Sequence, residues 1–429
     1  SVKKKTPVNK YDKLLKKPGV KTSKGEFITI HQVGQKVYFE YPTKNMGREI
    51  LLGSTIKTSS DAWFLPVGMK TSLTLHLKFE MQDSSVCLLR PSSATIWDGK
   101  DKGIGKALER GYTPVLYGKY PIEAYNSDST AVVFEVTKLF KENKDLIPAA
   151  GMIGSLTEKK DKFFWGEMKA FEDNVSLNVE RTFDIALVGW IITFPMGEVS
   201  MTSTYSLLLL PERKMMPRIH DSRVGVFPNY HYVNALHMPK RAFLEDEDGI
   251  RQMAFSNRWR VEPKDKAAWE RGELVEVKKP IVWYVDDAFP AEWKAPMKEG
   301  VLVWNKAFEK IGLKNVMQVR DFPTVEEDST FDPDNLKYSC IRYVPASVEN
   351  AMGPSWTDPM TGEILNASVI IWSDIIRLVN EWRFIQTAQV DERVRTKKLP
   401  ANVLHEALVY VCAHEIGHTL GLMHNMGAS

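Results

Sequence analysis

The sequence predicts an α+β protein, with a β-rich N-terminal portion followed by a C-terminal domain of mixed twisted sheet and helices. Three observations lead there. Between residues 57 and 275 apolar residues recur at period two, most plainly at Leu73, Leu75, Leu77, Phe79 and Met81 against Thr74, His76, Lys78 and Glu80. From Ile281 onward strand-like and helical runs alternate, with Trp293, Met297, Val301, Trp304, Phe308 and Ile311 at helical spacing until Gly312. A final apolar helix, opened by Pro400, carries His414, Glu415 and His418 and stops near Gly421.

Taken in order, 26–32 and 36–42 are β-rich runs separated by Val33, Gly34 and Gln35, a hairpin that with the lysine-rich opening forms a small unit over residues 1–56. A mainly antiparallel domain follows over 57–275, with further strands at 131–136, 184–194 and 203–210. His76 falls on the polar face of its strand and reads as a surface histidine. Residues 99–106 suggest a phosphate loop only superficially, because Lys100 stands where the first glycine is needed and Ala107 where Ser or Thr is needed. The third domain, 276–429, opens on a strand at 281–285 and one helix to Gly312. Strands at 315–320 and 337–344 come next, then a hairpin turned at 358–362 whose return strand is 365–372. Asp374 is placed to cap a helix carrying Ile375, Leu378, Val379 and Trp382, and a basic loop at 393–398 precedes the last helix. The order is β-α-β-β-β-α-α.

A chain of 429 residues is expected to hold two or three domains. Its 43% hydrophobic and 26% charged residues are those of an ordinary globular protein, and no run approaches the ~18 apolar residues of a transmembrane segment. The run 185–194 is too short and reads as a buried strand. Ser1 to Lys5 have no apolar stretch behind them, so these residues are not expected to be a signal peptide, and any leader is expected to have been removed. Cys87, Cys340 and Cys412 cannot make a disulfide framework; Cys412 lies about 200° round the helix from His414 and points into the core. Cys87 reads as strand interior rather than as a metal-blocking switch. The excess of basic residues sits near the N-terminus (Lys10, Lys13, Lys16, Lys17, Lys21, Lys24) without interleaved aromatics, which argues for a solvated tail and against a nucleic-acid partner.

The chemistry concentrates in the last helix. His414 and His418, one turn apart on a helix, lie about 40° from each other and direct two imidazoles at one metal, with Glu415 beside them. Gly421 permits the positive φ that ends the helix and returns the chain, making His424 a third ligand. Three neutral nitrogens leave a fourth position for water, the arrangement of a catalytic Zn2+. Glu326, Glu327, Asp328, Asp332 and Asp334 could offer oxygens to Ca2+, but their spacing fits no EF-hand and a solvated acidic loop is the plainer reading. His405 is half a rotation from His414 and cannot share its metal. His220, His231 and His237 cluster in sequence as a weaker candidate second metal site.

The extended pattern H-E-x-x-H-x-x-G-x-x-H resembles the metzincin clan of zinc endopeptidases. Residues 216–227, 257–263 and 304–308 are similar to large bacterial zinc-dependent metalloproteases of the cell envelope that carry N-terminal domains of unknown function. The resemblance implies that 276–429 is the upper, N-terminal half of a metzincin-like catalytic domain. It implies a zinc-dependent endopeptidase acting on a peptide or protein substrate through a zinc-bound water activated by Glu415. Substrate would lie extended against an edge strand, for which 351–356 is the candidate, with Gly353, Ser355 and Trp356 as substrate-binding residues. Pro354 suits an edge because it needs no ladder donor. Export to a bacterial cell envelope, periplasm or cell surface, is implied as well. Metzincins carry a methionine turn tens of residues beyond the third histidine, and neither Met423 nor Met426 can form it. The chain is therefore expected to be shortened, with weakened zinc binding and low or absent activity. Two other classes remain as alternatives: a catalytically inactive peptide- or glycan-binding envelope protein, and a zinc hydrolase of non-peptide bonds.

Overall fold

Alternating burial along long antiparallel strands builds the first of two compact units, Ser1–Lys214 with His231–Gln252; the second is Met215–Tyr230 with Met253–Ser429. The computed structural model describes residues 9–70, 74–147, 154–188, 193–233, 236–244 and 249–425, with the backbone alone at 231–233 and 236–237.

In the first unit a five-stranded antiparallel sheet (Val20–Ser23, Thr29–Val33, Lys36–Pro42, Ala131–Glu135, Ala124–Tyr125) faces a seven-stranded one that includes Glu49–Ser59, Leu75–Gln82, Asn174–Val188 and Thr193–Leu209. Ile30, Phe39 and Phe134 from the first sheet share one core with Leu52, Leu77, Leu88, Leu177 and Leu207 from the second, as period-two burial requires. The 26–42 hairpin is as expected, with Val33 opposite Lys36 across a two-residue turn. Cys87 is buried in its strand. Residues 102–111 form a helix capped by Asp101 rather than a phosphate loop.

Two expectations change here. His76 is buried, its Nε2 3.3 Å from Glu49, while Met81 is exposed; the strand outruns the core at its far end, and its other face is covered where His76 sits. The apolar run 185–194 is not one buried strand. Its described ends belong to two antiparallel strands, Val188 opposite Thr193, with Val188 53% and Phe194 55% exposed. Residues 71–73 and 189–192, and with them Leu73, lie outside the described residues, as do the side chains of His231 and His237.

The second unit has a mixed sheet. Strands β1 (Ile281–Val285), β2 (Met317–Asp321), β3 (Ser339–Val344) and β6 (Glu363–Trp372) run parallel in the order β2-β1-β3-β6. On the far side of β6, β4 (Ala351–Met352) and β5 (Ser355–Thr357) pair antiparallel to it and form an edge. Helices α1 (Ala291–Leu302) and α3 (Ala401–Thr419) pack on one another and on this sheet, and α2 (Ile375–Thr387) precedes α3. Trp283, Met297, Val301, Ile341, Val369, Leu408 and Ile416 belong to one core. The single helix expected up to Gly312 is two: α1 ends at Leu302, and a short second helix, Asn305–Glu309, starts after Trp304. Trp304 turns its indole to the carbonyl of Ala413 (3.0 Å), and Ile311 is left exposed. Asp374 occupies the N-cap of α2 without a side-chain capping bond.

Candidate metal centre

Helix α3 is apolar on nearly all sides because it is enclosed. Val403, Leu408, Cys412 and Ile416 are buried, while His414 and His418 are half-buried and face the cleft. Its end is a Schellman motif: the Leu422 N–H donates to Gly417 O and the Gly421 N–H to His418 O, both at 3.0 Å. Gly421 sits at φ +99°, and a Cβ there would lie 2.2 Å from the carbonyl oxygen of Asn257, so both conformation and space require glycine. The turn it makes swings His424 back over the helix.

There the Nε2 of His424 lies 3.1 Å from Nε2 of His414 and 3.1 Å from Nε2 of His418. His418 Nδ1 is 2.8 Å from Leu422 O; a carbonyl only accepts, so Nδ1 carries the proton and Nε2 presents its lone pair. Burial, then the neighbouring His418 and His424, lowers the pKa of His414, which favours the neutral imidazole a metal needs. A tetrahedral ion with zinc–nitrogen bonds of about 2.0–2.1 Å holds its ligand nitrogens roughly 3.3 Å apart, so the observed spacing fits Zn2+. Among the described residues, no other His, Cys, Asp or Glu side chains converge in this way.

Glu415 is 7% exposed and makes no side-chain hydrogen bond or ion pair among the described residues, and burial alone pushes its pKa up to about 7. It faces a cavity of about 450 Å³ shared with the three histidines. Part of its lining is the sheet edge, residues 350–354; another part is an apolar wall of Ile375, Leu378 and Trp382 of α2 with Tyr410 and Val411 of α3. Phe227 completes the lining. The edge strand approaches α3 so closely that a Cβ on Gly353 would lie 2.4 Å from Glu415 O.

Thus the structure brings His414, Glu415, His418, His424 and Gly353 to one place. Ser355 and Trp356 do not line the cavity: Ser355 Oγ is 3.4 Å from Thr357 Oγ1, and Trp356 is 3% exposed with its side chain in the interior. His405 pairs with Glu299 at 2.9 Å, away from the triad. The acidic loop is occupied with its own turns, Asp328 accepting from Thr330 and Glu327 from Thr324, and nothing supports Ca2+ there. His220 belongs to no described group of three metal-ligating side chains, and the side chains of His231 and His237 lie outside the described residues. Sequence reading missed the apolar wall. Tyr410 precedes His414 by one helical turn, a spacing visible in the sequence, whereas Leu378 and Trp382 read there only as apolar positions of the helix after Asp374.

Residues 396–429 match a family model described as Met-zincin, so the C-terminal region is metzincin-like. Residues 68–264 and 8–59 match two domains of unknown function, DUF5117 and DUF5118. No curated protein and no solved structure matches the chain.

Proposed function

We propose that the protein is a zinc-dependent endopeptidase in which His414, His418 and His424 hold the metal and Glu415 is the general base. The observation that carries this reading is the convergence of three Nε2 atoms beside a buried, unpartnered carboxyl and an open sheet edge. Zinc bound there supplies Lewis acidity, polarising a carbonyl and acidifying a water. Residues 350–354 align an extended substrate chain antiparallel to the edge, with Gly353 setting its height above α3. The wall of Leu378, Trp382 and Tyr410 receives an apolar side chain next to the scissile bond. Glu415 takes a proton from the attacking water onto a carboxylate oxygen and returns it to the leaving amine nitrogen. Its raised pKa suits both transfers near neutral pH, and the charge of a metal held by the three neutral imidazoles would favour its ionised form.

Export to a bacterial cell envelope goes with this reading, on the strength of the similarity of residues 216–227 and 257–263 to envelope metalloproteases. No helix among the described residues is long and apolar enough to cross a membrane. The deciding experiment compares Glu415→Ala with His414→Ala and His418→Ala. The first should retain zinc and lose peptide hydrolysis; the other two should lose zinc. Substantial hydrolysis by Glu415→Ala would remove the general-base role.

A further inference from the structure

The turn that carries His424 is not held by its helix alone. Residues 225–227 lie antiparallel beside it: the Phe227 N–H donates to Gly421 O at 2.7 Å, the Met423 N–H donates to Gly225 O at 2.9 Å, and Val226 bridges Leu422. This strip is anchored in turn. The Asn257 N–H donates to Phe227 O at 2.9 Å, Pro228–Asn229 pairs with Phe255–Ser256, and the Asn229 amide donates to Asp358 O at 3.2 Å. The ring of Phe227 lies 5.7 Å from the His418 imidazole, inclined at 54°. One strip, far upstream of the motif, therefore touches both the turn bearing the third histidine and the ring of the second.

We infer that residues 225–227 are a preformed clamp that sets the metal-site geometry before a metal binds. The ladder fixes the path of 421–424, and so the position of His424. Phe227 limits rotation of His418, whose Nδ1 is already committed to Leu422 O. A turn without these bonds would have to be ordered by the metal itself, and the lost chain entropy would weaken binding. Phe227 acts through His418 and is a positioning residue. The inference rests on the reading of the three histidines as metal ligands and extends it to a segment outside the motif.

Two measurements on the full chain test it. In the metal-free protein, the amides of Phe227 and Met423 should be protected from hydrogen exchange; exchange at open-chain rates would overturn preorganisation. Phe227→Ala should bind zinc about ten-fold or more weakly in a chelator competition and alter the visible spectrum of the cobalt-substituted site, while Phe227→Tyr restores both. Phe227 is 36% exposed, so its truncation leaves the core intact, and Phe227→Leu serves as a second variant if the alanine form melts early. Zinc affinity and cobalt spectrum unchanged in Phe227→Ala, with zinc lost in His424→Ala, would reject the clamp and leave the metal reading standing. A wild-type chain that binds no zinc would overturn the metal reading and the clamp with it.

Discussion

Gly353→Ala separates the alignment of substrate from the binding of metal. A Cβ at this position would lie 2.4 Å from Glu415 O and 3.0 Å from Thr419 Cγ2. Ordinary contact begins at about 3.4 Å, so the edge strand and α3 must part by roughly 1 Å. The helix cannot yield easily: Thr419 is fully buried, its hydroxyl donates to Ile416 O at 2.7 Å, and the Trp259 indole donates to Thr419 O at 2.8 Å. The strand therefore moves, at a cost of about 1–3 kcal/mol for overpacking. A displacement of about 1 Å in a positioning element lowers turnover by on the order of a hundred-fold. The variant should hold zinc within about three-fold of wild type, since no ligand is touched, and cleave a fluorogenic peptide with kcat/KM down by about a hundred-fold. Measuring both on one preparation decides it. Stability reduced as stated with kcat/KM unchanged would refute the assignment of residues 350–354 to substrate alignment.

Three further outcomes are expected. Gly421→Ala forces a side chain to φ +99° and into the Asn257 carbonyl, so the second unit should lose more than about 2 kcal/mol in chemical denaturation and bind zinc more weakly; a neutral result would show that the turn can be rebuilt. Metal-free Glu415→Gln tests the buried carboxyl. Its folded pKa of about 7 lies above the unfolded value of about 4.5, so wild type loses stability as pH rises through that interval while the variant does not. The two should match at pH 4, and the variant should be more stable by up to about 3 kcal/mol at pH 8; a pH-independent difference would contradict the shift. Trp382→Ala should raise KM for peptides with a large apolar side chain next to the cut and leave small-residue peptides nearly unaffected, and equal effects on both would remove the α2 wall from recognition.

The clustering of the three histidines and the course of the strands were legible because they obey local periodicity. His414 and His418 share a face by helical geometry, Gly421 ends the helix by conformation, and residues 281–285, 337–344 and 365–372 announce themselves as apolar runs bounded by turns, within two residues of the observed strands. What the sequence withheld depends on contacts between distant segments. His76 alternates as a surface residue would, yet it is buried beside Glu49 from another strand. Trp356 stands at the expected edge, but pleating sends its side chain into the core and leaves Gly353 in the cleft. Phe227 and Trp382 reach the site only through tertiary packing, which no local pattern encodes.

The central claim is that His414, His418 and His424 bind one zinc ion in a catalytic geometry. X-ray absorption at the zinc edge, with metal content measured on the same sample, addresses it most directly. One zinc per chain, surrounded by three imidazole nitrogens at about 2.0–2.1 Å and one oxygen, is the predicted result, with the metal lost in His418→Ala. A zinc shell containing sulfur, or stoichiometric zinc retained by His418→Ala, would contradict it.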